Sequence, residues 1–127
     1  MAAGVARWSP DKRREDVFPK NSTFAVNLIR WNEVTDGRLT ENALRRKLER
    51  LGCSVTRYVY PPGTVFPDHS HGMDKMDAVL SGRFRIIMEG REIVLEAGDM
   101  VAVPAGVVHS ADVIGTEPVV SLDGVKM

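Results

Sequence analysis

The chain has 127 residues, enough for a single domain with its own apolar core. Basic and acidic residues number 17 each, so no net charge would draw the protein to nucleic acid or to an anionic membrane. The single cysteine, Cys53, excludes an intrachain disulfide, and no apolar run approaches the roughly 20 residues that span a bilayer, so we expect a cytoplasmic protein without nucleic-acid or membrane partners.

The N-terminal part of the chain is predicted to lie beside the main domain. Residues 1–23 are polar, charged and interrupted by prolines, which is typical of an extended arm. Residues 24–52 are predicted to form an accessory strand and helix. The strand, Phe24 to Trp31, has the composition of a sheet edge, and it is expected to pair either with its own barrel or with a neighbouring subunit.

The accessory helix is predicted over Thr40–Leu51. Thr40 is a suitable N-terminal cap, and Gly52 stands where a residue of left-handed conformation ends many helices. Leucines recur on one face at i, i+4 and i+7, and the basic residues on the other face alternate with glutamates without any aromatic residue. We interpret that basic face as solvated and not as a nucleic-acid contact.

From residue 53 to residue 127 the sequence predicts β-structure. Short apolar segments recur at regular spacing and are separated by Gly or Pro, which indicates an all-β sandwich or barrel. Alternation within one segment places Phe84, Ile86 and Met88 inside. The predicted strands are Ser54–Tyr60, Met76–Leu80, Arg83–Met88, Glu92–Leu95, Met100–Val103, Val107–Ile114 and Val119–Leu122.

The three histidines of the chain are the strongest functional signal. His69 and His71 are separated by one residue, and His109 follows almost forty residues later. Imidazole is the commonest protein ligand of transition metals, and side chains at i and i+2 of a strand point to the same side. Two ligands from one strand and a third from a later strand predict a metal site inside a β-barrel.

The residues around these histidines resemble the two signatures of the cupin superfamily, over about residues 54–122. The first signature is carried by Gly63, His69, His71, Lys75 and Gly82. The second is carried by Gly98, Pro104, Ala105, Gly106 and His109. The resemblance implies an all-β double-stranded β-helix, or jelly-roll barrel, with one α-helix on its N-terminal side. It also implies a homodimer that binds a small molecule and one divalent transition metal per chain (Fe, Zn, Ni or Mn) through the three histidines.

One position departs from the family pattern: metal-binding cupins usually carry a glutamate where this chain has Lys75. A protonated lysine about 4 Å from a dication would be repelled by roughly 8 kcal/mol at an effective dielectric near 20. Asp77 lies two residues on and is predicted to share the same face, so we expect Lys75 and Asp77 to form a catalytic pair in the pocket wall. Asp74 faces outward in this alternation, and only a bulge would make it a fourth ligand.

Three residues before the first signature are candidate substrate contacts. Tyr58 and Tyr60 are predicted at the barrel mouth, with packing as the simpler interpretation of both rings. Arg57 has a guanidinium group that suits a substrate carboxylate or phosphate.

The sequence leaves three functions open. The first is a metalloenzyme with oxygenase- or isomerase-type chemistry on a small anionic metabolite, since cupins that bind metal without the glutamate resemble the three-histidine iron dioxygenases of thiols and β-dicarbonyl compounds. The second is a non-catalytic small-molecule-binding cupin, whose metal site is empty or weak because of Lys75. The third is metal-free catalysis, with His71 or His109 as the base and Lys75 as the acid.

Overall fold

The computed structural model describes residues 27–127, so the predicted arm over residues 1–23 lies outside the described residues. Within this range, nine strands and two helices follow one another along the chain. The strands are β1 (Leu28–Ile29), β2 (Cys53–Tyr60), β3 (Val65–His69), β4 (Lys75–Ser81), β5 (Arg83–Met88), β6 (Arg91–Leu95), β7 (Met100–Val103), β8 (His109–Ile114) and β9 (Val119–Lys126). The helices are α1 (Glu33–Asp36) and α2 (Glu41–Arg50).

The strands form two sheets, and every pairing between strands is antiparallel. The five-stranded sheet has the order β1-β7-β4-β9-β2, and the four-stranded sheet has the order β3-β8-β5-β6. Apart from the β5–β6 hairpin, neighbours within each sheet are not consecutive in the chain, as when a chain winds alternately through two sheets. The prediction of an all-β jelly-roll barrel is confirmed.

The apolar core between the sheets comes from alternate residues of the facing strands. Phe84, Ile86 and Met88 are all buried on β5, as their alternation predicted. They belong to one cluster with inward residues of the other strands, among them Val79, Val101, Val103, Ala111, Val113 and Val119.

Helix α2 covers the outer face of the five-stranded sheet and confirms the helix prediction. The Thr40 hydroxyl accepts a hydrogen bond from the Ala43 N–H at 3.1 Å, and Gly52 has a φ of 91° just after the helix. Leu44 and Leu48 are fully buried in a second apolar cluster, together with Cys53, Met76, Ala78, Met100 and Leu122. The short helix α1 was not predicted; the Asn32 side chain caps it by accepting from the Val34 N–H at 2.8 Å. No helix within residues 27–127 is long and apolar enough to cross a membrane.

The accessory strand was predicted over Phe24 to Trp31, of which residues 24–26 lie outside the described residues. Among residues 27–31, Leu28–Ile29 has strand structure, and it pairs with β7 of the same chain. Beside it, Arg30 contacts the buried carboxylate of Asp99 at 3.0 Å, which attaches this segment to the turn before β7.

The metal-site argument placed His69 and His71 on one strand, and strand β3, whose bounds were not predicted, corrects this arrangement. β3 ends at His69, so His71 lies in the following loop and not on the same strand. Lys75 then begins β4 in the other sheet. The alternation counted from His69 and His71 to Lys75 was therefore wrong as an argument, because the chain changes sheets between these residues.

Candidate metal centre

The three histidines meet at one end of the barrel. His69, at the end of β3, is the direct cross-strand neighbour of His109, at the start of β8. The loop after β3 brings His71 to the same place, with its ring centroid 4.8 Å from that of His69 and 5.1 Å from that of His109. Each ring offers one nitrogen, and the three nitrogens all lie within 4.8 Å of one another. The predicted convergence of His69, His71 and His109 is therefore present.

Backbone carbonyls orient two of these rings. The Nδ1 atom of His69 lies 2.7 Å from the carbonyl oxygen of Pro67, and the Nδ1 atom of His109 lies 3.0 Å from that of Val107. A carbonyl can only accept, so Nδ1 carries the proton and donates in both rings when the imidazole is neutral. This tautomer leaves each Nε2 with a free lone pair, which is the usual state of a metal-binding histidine.

The loop that carries His71 is attached to the turn before β8. The Gly106 N–H donates to the His71 carbonyl at 2.8 Å, and the Ala105 N–H donates to the Asp74 carboxylate, also at 2.8 Å. Direct hydrogen bonds thus connect the two predicted signature segments. Asp74 is used in this contact and does not join the histidine cluster.

Burial favours the neutral form of His71 and His109. Desolvation is the main cause that lowers the pKa of both His71 and His109 below the ordinary value. The nearby Lys75 ammonium lowers both pKa values further. A metal must displace any proton from its ligand nitrogen, so neutral rings are ready to bind one.

Lys75 faces the histidine cavity as predicted, but its partner is not the predicted one. Its Nζ atom lies 2.9 Å from Oδ2 of Asp123 on β9, so the expected Lys75–Asp77 pair is replaced by a Lys75–Asp123 pair. The sequence prediction ended the last strand at Leu122, one residue too early to include Asp123. The available signal was the alternation of Val119, Ser121 and Asp123 on the inward face of that strand.

Asp77 interacts with Asp123 instead. The two residues are direct cross-strand neighbours between β4 and β9. Burial, followed by the charge of Asp123, raises the pKa of Asp77 to about 7. Oδ1 of Asp123 is buried without a hydrogen-bond partner, and a hydrogen bond from Asp77 to the Asp123 carboxylate also raises the pKa of Asp77. We therefore assign a proton to Asp77 below pH 7, from which it donates to Asp123.

A cavity of about 160 Å³ lies beside the histidines. One wall is aromatic: the ring centroid of Tyr60 lies 4.9 Å from that of Phe66 and 5.6 Å from that of Phe84. Burial raises the pKa of Tyr60 to about 12, so this phenol stays protonated at neutral pH. The polar part of the lining is formed by Lys75, Asp77, Ser121 and Asp123.

Tyr58 and Arg57 do not line this cavity. Tyr58 is 44% exposed and stacks on Tyr60, with 6.0 Å between ring centroids. Arg57 points to the other face of β2, where its Nε atom lies 3.1 Å from Oε1 of Glu41 on helix α2. Alternation along the strand explains the separation, because Tyr60 faces the barrel interior and Arg57 faces the helix.

A larger hollow of about 460 Å³ opens elsewhere, on the outer face of the five-stranded sheet. It lies between β1, β7 and the end of helix α2, and its lining includes Ile29, Leu51, Met76 and Ala102. Lys75 is the one lining residue that the two cavities share. The three histidines, Asp77 and Asp123 line the histidine cavity and not this larger hollow.

Comparisons with known proteins agree with this architecture. The cupin domain family matches residues 56–125. None of the curated proteins matches the chain. A cupin protein from Bacteroides fragilis has a solved structure with 26% identity and a TM-score of 0.52, over 59% of this chain and 65% of that chain.

Two enzymes of solved structure are also similar. The DMSP lyase DddQ from Ruegeria pomeroyi DSS-3 shares 25% identity with a TM-score of 0.54, over 60% of this chain and 39% of that chain. A mutant of Bacillus subtilis oxalate decarboxylase OxdC shares 26% identity with a TM-score of 0.53, over 59% of this chain and 22% of that chain. Another structure of the Bacillus enzyme concerns its Mn(II) centres. The similarity thus spans less than two thirds of each of these proteins.

Proposed function

This chain belongs to the cupin domain family, and we propose that it holds one divalent transition metal through His69, His71 and His109 and acts on a small anionic metabolite in the adjoining cavity. The observation that carries the proposal is the convergence of three ring nitrogens within 4.8 Å. The carbonyls of Pro67 and Val107 support it, because they direct Nε2 of two rings away from the backbone.

The donor set fits such an ion. Three neutral imidazoles suit Fe, Zn, Ni or Mn, and they leave coordination positions open for a substrate. When bound, the metal supplies a Lewis acid, and with iron or manganese also a redox centre, for oxygenase- or isomerase-type chemistry. The Mn(II) centres of the similar Bacillus enzyme make manganese one of the first ions to test.

The cavity limits the substrate to a small molecule. Its volume of about 160 Å³ equals about five water molecules at roughly 30 Å³ each. Tyr60, Phe66 and Phe84 provide the apolar part of its lining. We propose that Lys75 and Asp77, in the polar part, contact the substrate. Asp77, with a pKa near 7, would give or take a proton during turnover at neutral pH.

The second candidate function is a binding protein without catalysis. The ammonium group of Lys75 favours it, because this charge already disfavours protonation of His71 and His109 and would also disfavour a cation between them. In that case the cavity holds a small molecule directly, and the metal site is weak or empty.

Metal analysis separates the two functions. Full-length protein is purified without a histidine tag, analysed by inductively coupled plasma mass spectrometry, and titrated as the apoprotein with Mn²⁺, Fe²⁺, Zn²⁺ and Ni²⁺. We expect close to one metal per chain, and a loss of affinity of about 100-fold or more in His109→Ala, since even residues behind the ligands contribute about 10- to 100-fold.

Ser70→Ala is the matched control, because it changes a side chain between two ligands without removing either. Binding below a tenth of an equivalent for all four metals would contradict the metal function. Thermal stabilisation of that metal-free protein by small carboxylates would instead support the binding protein. If metal binds, oxygen uptake and product analysis with small thiols and β-dicarbonyl compounds test the enzymatic part.

A further inference from the structure

We infer that Asp123 is the positioning residue that allows the three histidines to hold a divalent cation beside Lys75. The inference rests on the proposed metal function and assigns a role within that site to a residue that the sequence patterns did not identify. Asp123 is not one of the clustered ligands; its charge also acts on His71 directly, but its ion pair is with Lys75, and the position of that ammonium group is the effect that we infer.

The position of the lysine charge is the first step. Lys75 Nζ and Asp123 Oδ2 are 2.9 Å apart, and the two side chains are only 15% and 17% exposed. An ion pair with so little solvent is screened weakly, so it holds the ammonium group firmly at Asp123. The same pair joins β4 to β9, the two strands that form the polar wall of the cavity.

The charge of the whole group is the second step. Asp77 lies directly opposite Asp123, whose Oδ1 is buried without a hydrogen-bond partner, and a protonated Asp77 supplies a donor to this carboxylate. The Asp77 hydroxyl and the Lys75 ammonium then both donate to one carboxylate. With one positive charge, one negative charge and one neutral acid, the wall has no net charge toward the histidines.

The third step follows from removing Asp123. Without its carboxylate, Lys75 would be a largely buried cation with no described partner on β9, and a metal dication nearby would be repelled. A glutamate at position 75 would attract the metal ion, whereas the Lys75 ammonium repels it. This chain therefore needs the Asp123 carboxylate to compensate the positive charge of Lys75.

A double-mutant cycle tests the inference. Apoprotein is titrated with Zn²⁺ against a chelating competitor, and with Co²⁺ by its visible absorption spectrum, for the wild type, Asp123→Asn, Lys75→Met and the double variant. We expect Asp123→Asn to weaken both metals at least tenfold. Lys75→Met in the same chain should restore affinity to within about threefold of the wild type, because the uncompensated cation is gone.

Asp123→Glu is the conservative variant, and it should stay within about threefold of the wild type with an unchanged Co²⁺ spectrum. Affinity in Asp123→Asn equal to that of the wild type would overturn the inference. So would a weakened Asp123→Asn that Lys75→Met does not rescue, since the loss would then not depend on the charge of Lys75. If neither metal binds the wild type, the proposed metal function itself fails; binding by Lys75→Met alone would then show that Asp123 does not compensate the lysine.

Discussion

On the outer face of strands β4 and β9, Met76, Ala78 and Leu122 pack beneath helix α2, whereas on their inner face Lys75 and Asp123 form a polar wall beside the histidines. Both faces of these strands are shielded from water. Charged side chains on the inward face of such a strand are rare. The difference indicates a division of labour. Apolar burial under the helix stabilises these strands. The side that faces the cavity can therefore carry charged groups without loss of the fold.

The largest expected effect comes from the helix side. Leu48→Ala removes a fully buried side chain from the cluster under α2, and we expect the free energy of unfolding to fall by about 2–5 kcal/mol. Urea unfolding monitored by circular dichroism measures it. Metal affinity of the folded variant should stay within about twofold of the wild type, because the histidines lie across the sheet.

Arg46→Ala is the control for the Leu48 variant, since it changes an exposed residue of the same helix. We expect it to alter the free energy of unfolding by less than about 0.5 kcal/mol. A Leu48→Ala variant that loses both stability and metal affinity would show that the two faces are coupled, and the division of labour would then be wrong.

The next effect comes from the cavity side. Burial raises the pKa of Asp77 to about 7, above the ordinary 3.8, so the folded state binds a proton that the unfolded state releases. The stability contribution of this proton is complete below pH 3.8 and is lost as the pH rises to about 7. The loss is of the order of 2–4 kcal/mol. Asp77→Asn keeps a donor for Asp123 without titrating, so it should flatten this decline and stabilise the protein at pH 7.

Thermal and urea unfolding between pH 4 and pH 8 measure the Asp77 effect, with the exposed Glu117→Gln as the control for a lost surface carboxylate. If Asp77→Asn and the wild type follow parallel stability curves over this range, Asp77 does not hold the proton in the folded state.

The smallest expected effect concerns Asp36, on the helix side, whose pKa is lowered and not raised. The hydrogen bond from Lys47 at 2.8 Å is the main cause that lowers the pKa of Asp36, followed by the Asn32 N–H. Ionised Asp36 therefore stabilises the fold above the ordinary pKa of 3.8, and this contribution is lost as the pH falls through the lowered value. Asp36→Asn should cost about 1 kcal/mol at pH 7 and progressively less as the pH falls through the lowered pKa.

The Asp36 measurement is the difference in unfolding free energy at pH 7 and pH 3, with the exposed Glu33→Gln of helix α1 as its control. An equal cost at both pH values would mean that the side chain acts through packing. Together with Asp77→Asn, it tests whether ionised carboxylates stabilise the helix side and destabilise the cavity side.

Much of the fold could be predicted because short-range rules dominate it. Gly82 shows why the signature glycines are informative: its φ is +87°, and an added Cβ would lie 2.3 Å from the Pro118 carbonyl oxygen. Helix α2 was also predictable, because its cap and its leucine spacing lie in one continuous segment. Strand β3 was missed, since Pro67 and Asp68 break its apolar pattern and its pairing partner, β8, is some forty residues away.

The candidate site was predictable in its histidines and less so in its charges. Spacing identified His69, His71 and His109, but the partner of Lys75 depends on strand register. Lys75 and Asp123 are 48 residues apart, and only the pairing of β4 with β9 brings them together. The roles given to Lys75, Asp77 and Tyr60 remain predictions, and Arg57 and Tyr58 lie outside the cavity that they were expected to line.

The bonds from His69 to Pro67 and from His109 to Val107 each span only two residues. Each ring is therefore aligned by its own tripeptide and needs no distant partner for its direction. If the distance between the two sheets fluctuates, each ring moves with its own segment and keeps its orientation relative to that segment. The segments Pro67–His69 and Val107–His109 thus each contain the group that orients their histidine. Grafting both segments onto another pair of adjacent antiparallel strands should transfer the orientation of both ligands.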